Sequence, residues 1–318
     1  MSTKIKATII FATYNGERTL PAMLDALCQS TTPQSEWKIV AVNNNSTDNT
    51  NDILHSYLNR LPMEIYFGKN PGKAIAIDEG FQYLEGELVI ITDDDVRPAQ
   101  DWIEQFLKLA EGCPDYDMFG GLILPEWEQL PEPWILEWVD HVPVYSLNDT
   151  VKEGPISAGC IFGPNSAFRR SVLPDKYSVH DSNIGPSSDV QQYPMGCDTL
   201  FARCIEARGH KAWHSRLPIV QHFVLAKYLD ERWIFQRAER HGLGIPLAEP
   251  HLFRSGKILF GYPVGLLIKF SALATMVKIV ELLPRSKFRY NWLWRYNRHK
   301  GLLKMTRIIK KTSSIRLS

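Results

Sequence analysis

The chain has 318 residues, of which 44% are hydrophobic and 22% charged, so it can bury a substantial core in one large or two modest domains and reads as an ordinary folded protein. Its 36 Lys and Arg against 35 Asp and Glu leave a net charge of +1, and no global excess points to nucleic acid or to an acidic substrate. That balance conceals an asymmetry. After Glu281 no acidic residue follows, while 11 basic residues run from Arg285 to Arg316, so the remainder of the chain carries −10 and the tail is a separate electrostatic unit suited to an anionic surface. The five cysteines, Cys28, Cys113, Cys160, Cys197 and Cys204, form no CxxC pair, and an odd count in this arrangement suits a reducing cytosol. The apolar stretch Ala7 to Ala12 is too short for a signal-peptide core, so no cleaved targeting segment is expected.

In chain order, residues 4–12 are β-rich and end at the turn cluster Thr13-Tyr-Asn-Gly16, after which Leu20, Met23, Leu24 and Leu27 recur at helical spacing. The same strand, loop, helix pattern returns with Trp37 to Val42, the polar loop Asn43 to Asp48, and a helical stripe over 50–58. Two such units in succession argue for a parallel α/β sheet. Residues 64–67 predict a third strand, Asn70-Pro-Gly-Lys73 a turn, 74–84 a helix, and 87–92 a buried strand running into Asp93-Asp-Asp95. In an open parallel sheet ligands sit outside the carboxyl ends of the strands, so Thr13 and Tyr14, Asn43 to Asp48, and Asp93 to Asp95 are expected to meet at one crevice. Farther on, the proline-rich stretch 125–143 with Trp127, Trp134 and Trp138 reads as an irregular cover for that crevice, 231–240 as a helix, and 256–283 as an apolar segment before the basic tail.

Three successive carboxylates at the end of an apolar strand repel one another in a dry site unless a cation is present. Asp93 and Asp95 share a side if strand geometry persists, and such oxygen ligands suit Mg²⁺ or Mn²⁺ bound together with phosphate oxygens. The competing explanation is a solvated acidic turn or a helix cap before Pro98.

Several segments in order over residues 5–245 resemble family 2 glycosyltransferases of the GT-A fold. Ile9-Ile-Phe-Ala-Thr-Tyr-Asn-Gly16 is similar to the first strand and turn of that family, Val42 to Asp48 to its second-strand loop, and Asn70-Pro-Gly-Lys73 to its Gly-Lys turn. Asp93-Asp-Asp95 falls on the DxD motif, Gly163 to Arg170 on GxNxAFRR, and Met195 to Arg203 on GEDxxLxxR. The resemblance implies a Rossmann-like α/β domain with a mostly parallel central sheet over 1–245, followed by a C-terminal helical extension over 246–318. It also implies transfer of a sugar from a nucleotide-diphosphate sugar to an acceptor hydroxyl, with inversion. In that division of labour Thr13, Tyr14, Asn43, Lys73, Asp93 and Asp94 hold the donor, with Tyr14 and Asn43 at its base. Asp95, Asp93 and His222 attend a divalent metal, Mn²⁺ or Mg²⁺, and Asp198 is the base.

Each of these positions has an ordinary structural alternative. Tyr14 also suits loop packing, Asn43 an Asx turn, Asp198 a helix N-cap, and His222 a structural role after a strand. Residues 231–242 resemble the acceptor-side helix of relatives, and helical spacing puts Trp233, Arg237 and Arg240 near one face, as a sugar platform beside phosphate-binding cations or as a packed tryptophan with solvated arginines. The chain departs from the family pattern at Asn43 for Asp, Cys197 for Glu, and Ile77-Asp78 for Arg-Asn. The last change removes a cation that Lys73 or the pair Arg169-Arg170 could replace, although one side of an exposed helix suits these cations equally well.

Residues 258–283 are apolar, but Lys269 and Lys278 interrupt them, so a transmembrane span is not expected. These lysines lie nine positions apart, on opposite faces of a helix, which argues against a clean amphipathic helix. Two arrangements remain: shallow or re-entrant insertion after Pro263 at an anionic membrane surface met through 256–318 with its basic tail, or a helical hairpin packed on the catalytic domain. The expected partners are a nucleotide-sugar donor and a carbohydrate or lipid-linked acceptor in polysaccharide or glycolipid synthesis, without nucleic acid, at the cytoplasmic face of a membrane. A sugar nucleotidyltransferase is the alternative enzyme class, although the first strand lacks the Gly-rich basic loop that a triphosphate calls for; a non-catalytic nucleotide-sugar-binding relative is the other.

Overall fold

The computed structural model describes residues 4–178, 184–187, 192–249 and 257–315. Contacts divide the chain into two compact units, one comprising Met1–Glu126, Ser146–Gln191 and Cys197–Val224, the other Trp127–Tyr145, Gln192–Gly196 and Leu225–Ser318.

The first unit is built on a mixed α/β sheet. Strands β1 (Ala7–Thr13), β2 (Trp37–Asn43), β3 (Met63–Phe67) and β4 (Leu88–Ile91) pair in parallel in the order β3-β2-β1-β4. Helices α1 (Leu20–Cys28), α2 (Thr50–Ser56) and α3 (Lys73–Phe81) lie between successive strands in sequence. The uninterrupted apolar runs of β1, β2 and β4 are explained by burial on both sheet faces: Ile9, Ile10, Phe11, Ile39, Val40, Ile90 and Ile91 are fully buried. Past β4 the sheet turns antiparallel through β8 (Ser166–Arg169), β6 (Met118–Trp127), β9 (Ala212–Val224) and β5 (Val96–Pro98), with β7 (Gly154–Ile156) also on β9. Helices α4 (Trp102–Gly112) and α7 (Cys197–Glu206) complete this unit.

Asn165, in the segment similar to GxNxAFRR, fastens this antiparallel half. Its buried amide donates to the carbonyls of Leu122 and Pro218 and accepts from the Trp102 indole, each at 2.8–2.9 Å. All donors and acceptors of a buried amide are thereby matched to three separate segments.

In the second unit, the stretch expected to be irregular forms two short helices, α5 (Pro133–Trp138) and α6 (His141–Tyr145). Pro133 occupies the first turn of α5, where its fixed φ and missing N–H suit a helix start. The unit also holds α8 (Glu231–Ala248), the hairpin β10 (Ile258–Leu259) and β11 (Tyr262–Pro263), α9 (Val264–Val280) and α10 (Lys287–Ile315). Asp230 caps α8 by accepting from the backbone N–H groups of Arg232 and Trp233. Among the described residues, no helix is long and apolar enough to cross a membrane.

Candidate functional site

The strand order reverses between β1 and β4, the point at which an open α/β sheet leaves a crevice at its carboxyl edge. The loops expected there do meet. Thr13, the last residue of β1, donates from Oγ1 to Asp94 Oδ2, and its carbonyl accepts from the Asn44 N–H at 2.8 Å. Asn15 accepts from the Thr47 N–H, and its own N–H donates to the Ser46 hydroxyl. Asn43 Oδ1 accepts from the Ser46 N–H at 3.1 Å, so this buried amide closes the loop on a backbone group three residues on. Asn44 extends the network by donating to the Asn70 carbonyl and accepting from the Gly72 N–H. Gly16 permits the closure: a Cβ there would stand 2.5 Å from Thr13 Oγ1 and 2.7 Å from Asp94 Oδ2. Tyr14, beside this network, keeps 46% of its surface exposed.

A second layer joins the β4 loop to α3 and α7. Lys73, at the start of α3, sets its ammonium 2.5 Å from Asp93 Oδ1 and 3.2 Å from Asp198 Oδ1. Burial alone would depress this lysine, but Asp198 and Asp93 hold it well above its ordinary value. Asp198, in the first turn of α7, is opposed by burial but is held below the usual carboxylate range by Lys73 and by a hydrogen bond donated from the Tyr177 hydroxyl. Its carboxyl lies over Gly163, where any Cβ would come within 2.5–2.7 Å of it. Tyr177 is itself held by Asp78 in α3, which accepts from the N–H groups of Tyr177 and Ser178 and from the Ser178 hydroxyl. The Asp78 that departs from the family pattern is therefore a clamp on the residue that holds Asp198, while Ile77 is fully buried in the core.

Burial drives two of the three loop carboxylates upward. Asp93 is raised despite Lys73, and Asp94, with Asp95 adjacent, is pushed up to about 7 despite its bond from Thr13. Asp95 moves the opposite way, because the nearby His222 outweighs its burial. The register explains this pairing: β5 lies antiparallel to β9 with Val96 opposite His222, and the Phe223 N–H donates to the Asp95 carbonyl. His222 Nε2 consequently stands 3.4 Å from Asp95 Oδ1, an oxygen that is buried and, among the described residues, accepts no hydrogen bond of regular geometry.

Among the described residues, no three His, Cys, Asp or Glu side chains form a ready metal cage. Asp93 is engaged by Lys73. The under-used oxygen of Asp95 beside an imidazole still fits Mg²⁺ or Mn²⁺, which bind through one or two protein ligands and take the rest from substrate phosphates and water.

The arginine pair considered as a diphosphate partner serves elsewhere. Arg169 pairs across from Leu88, at the start of β4, and donates to the carbonyls of Ala110, Cys113 and Tyr116 around the end of α4. Arg170 donates to the Gly86 carbonyl. Both guanidinium groups therefore serve backbone carbonyls at the edge of the sheet opposite the carboxylates.

In the second unit, Trp233 stacks on Tyr228, with ring centroids 4.6 Å apart, and on Tyr145 at 6.1 Å. Arg237 and Arg240 lie over the Trp233 ring at 5.9 and 5.4 Å, so the expected common face exists. Arg240 is buried and also faces the Tyr193 ring, and among the described residues two of its nitrogens and Arg237 Nε have no hydrogen-bond partner.

Tyr177 and its clamp Asp78 were not visible as site residues in the sequence. Tyr177 lies in an irregular segment, and the bonds that define it come from residues 21 and 99 positions away.

Comparison with known proteins gives these features a family. The chain is 30% identical over 182 residues to the undecaprenyl-phosphate 4-deoxy-4-formamido-L-arabinose transferase of Serratia proteamaculans, covering 55% of this chain and 52% of that protein. It is 24% identical over 177 residues to the glucosyl-dolichyl phosphate glucuronosyltransferase of Haloferax volcanii, covering 54% and 53%. The chain spans about half the length of the curated relatives it matches. Among solved structures, the mannosyltransferase PcManGT from Pyrobaculum calidifontis, in complex with GDP-Man and Mn²⁺, matches with a TM-score of 0.56 and 17% identity over 98% of this chain and 87% of that one. TarS from S. aureus matches with a TM-score of 0.54 and 15% identity over 98% and 92%. These two share the fold with this chain. Residues 8–175, more than half of the chain, match the family described as glycosyl transferase family 2, and the protein belongs to that family.

Proposed function

We propose that the protein transfers a sugar from a nucleotide-diphosphate sugar to an acceptor hydroxyl in one displacement, with inversion at the anomeric carbon. The observation that carries this proposal is Asp198: a carboxylate held ionised by Lys73 and Tyr177 in the same unit as the three-carboxylate loop. It takes the proton of the acceptor hydroxyl as that oxygen bonds to the anomeric carbon, and the bond from that carbon to the diphosphate breaks on the opposite side. A depressed pKa suits this concerted timing, because the hydroxyl becomes acidic only as its oxygen bonds to carbon. The proton ends on Asp198 and the electron pair on the departing nucleoside diphosphate.

Thr13, Tyr14 and Asn43 serve the nucleoside end of the donor. Tyr14 offers a half-exposed ring for the base, and the Asn43 NH₂ remains for a base edge after its Oδ1 has closed the loop. Asp93 and Asp94 serve the ribose and the phosphate-bearing side, and Lys73 keeps Asp93 and Asp198 apart as charges. Asp95 and His222 would hold a divalent ion, Mg²⁺ or Mn²⁺, and that ion supplies positive charge to the diphosphate oxygens.

Trp233, Arg237 and Arg240 are assigned to the acceptor. An aromatic face beside buried guanidinium nitrogens that have no hydrogen-bond partner among the described residues fits a sugar ring next to an anionic group. The relatives named for undecaprenyl phosphate and dolichyl phosphate support a lipid-linked acceptor in polysaccharide or glycolipid synthesis, reached at the cytoplasmic face of a membrane through 256–318.

The test is a thermal-shift screen against UDP-, GDP-, dTDP- and CMP-sugars, each with and without Mn²⁺. A metal-dependent rise with one nucleotide class, lost in Asp95→Ala, is the expected result; no rise with any of them would count against a donor site.

A further inference from the structure

Helix α9 has two unlike faces. At about 100° per residue, Leu273, Val277 and Val280 fall together, and all three are buried. Ile268, Ala272, Thr275, Ile279 and, just past the last turn, Leu282 fall within about 80° of one another on the other side, and all five are exposed, Ile268 at 66% and Leu282 at 86%. Thr275 interrupts this stripe only mildly, since its hydroxyl donates to the Ser271 carbonyl at 3.0 Å and so has a partner within the helix. Relative to Ile268, Lys269 lies at about 100° and Lys278 at about −80°. The lysine spacing that spoke against an amphipathic helix thus puts one exposed ammonium on each flank of the apolar stripe, where a long stem can reach out of an apolar layer.

The hairpin that precedes α9 carries the same signal. Ile258 and Leu259 pair with Pro263 and Tyr262, and the connecting residues Phe260 and Gly261 have φ values of 51° and 83°. Two positive φ values make a tight primed turn, which Asn-Gly fills without strain. Here the first position is a phenylalanine that is 84% exposed, following the exposed Ile258 and Leu259. A bulky apolar residue held at positive φ and in water is unfavourable on both counts. Charge completes the picture: residues 257–318 contain 14 Lys and Arg, with Glu281 their sole acid.

We propose that the outer face of α9 and the Phe260 hairpin form a docking surface for an anionic lipid bilayer. The helix lies in the interfacial plane, Phe260 enters the acyl boundary, and Lys257, Lys269 and Lys278 meet the headgroup phosphates. The proposed attachment is peripheral; among the described residues no helix is long and apolar enough to cross a membrane. A second copy of this chain is the poorer occupant, because it would bring the same positive excess to the contact. The surface does not depend on the glycosyl-transfer proposal, although it would bring the chain to a lipid-linked acceptor.

The test uses the full chain with phosphatidylcholine vesicles, with and without phosphatidylglycerol, read by co-sedimentation. The wild type should bind the anionic vesicles, more weakly in high salt. Phe260→Asp and the pair Ile268→Asp with Ile279→Asp should each weaken binding by about tenfold or more, the scale of a large apolar side chain returned to water. Far-UV circular dichroism and melting temperature should stay at wild-type values. A wild type that ignores anionic vesicles, or variants that bind them as the wild type does, would overturn the proposal. So would a self-associated wild type, without vesicle affinity, that the same substitutions disperse. Nucleotide-sugar binding is read on the same samples, so a failure of the transfer proposal appears there and leaves the vesicle result standing.

Discussion

Replacing Gly163 by alanine tests whether Asp198 depends on its position to the ångström. The new Cβ would meet the Asp198 carboxyl carbon and oxygens at 2.5, 2.6 and 2.7 Å. Ordinary contact begins near 3.4 Å, so one side must give by close to 0.9 Å. Gly163 lies in a short buried turn before Asn165, which three segments hold, so the movement falls on the aspartate. The carboxyl then leaves the Tyr177 hydroxyl and the Lys73 ammonium. A misplacement of about 1 Å at a reacting group costs on the order of 10²-fold in rate, while overpacking of one methyl costs about 1–3 kcal/mol of stability. Gly163→Ala should therefore fold with a modestly lowered melting temperature, bind nucleotide sugar within a few-fold of wild type, and lose about 100-fold in kcat in a nucleotide-release assay. Wild-type kcat in a folded Gly163→Ala would refute the claim that Asp198 acts from its observed position.

Other outcomes follow from the same geometry. Tyr177→Phe removes a hydrogen bond to a charged acceptor, worth about 1.5–3 kcal/mol. Asp198 is depressed in the folded protein, so its pKa should rise and the acid limb of the kcat profile should move to higher pH; an unmoved limb would exclude Tyr177 from holding the base. Asp95→Asn should abolish the metal dependence of donor binding, whereas Asp94→Asn should leave part of it; equal retention in both would contradict the assignment of Asp95 and His222. Glu239, nearly buried, is opposed by burial but held below 4.5 by Lys304 and Lys300. The stability it lends is present above the unfolded value and is lost as pH falls through the lower folded one. Thermal melts below pH 4.5 should therefore be flatter with pH in Glu239→Gln than in the wild type, and parallel curves would refute the pairing.

The parallel half of the sheet was legible because its strands are buried on both faces and each ends in a polar loop, a contrast that one-dimensional reading detects. Thr13 to Gly16, Asn43 to Asp48 and Asp93 to Asp95 could be brought together from strand order alone. Asp198 could not. Its place as base entered through family resemblance, not periodicity, and its contact with Lys73 spans 125 residues. Asp78 was visible only as a departure, since its partners Tyr177 and Ser178 lie in a segment without regular structure. The arginines at 169 and 170 stayed open between a phosphate and a structural place because a cation reads the same beside a phosphate as beside backbone carbonyls, here those around the end of α4 and that of Gly86 before β4. The helices at 133–138 and 141–145 were hidden by prolines, which sequence patterns treat as breakers although Pro133 starts its helix.

The most direct test of the account is a comparison of Asp198→Asn with the wild type, measuring nucleotide-sugar affinity by calorimetry and single-turnover transfer on the same preparations. The account predicts affinity within a few-fold of wild type and transfer reduced by about 10³-fold or more, since the amide keeps the shape but cannot accept the proton; undiminished transfer would contradict it.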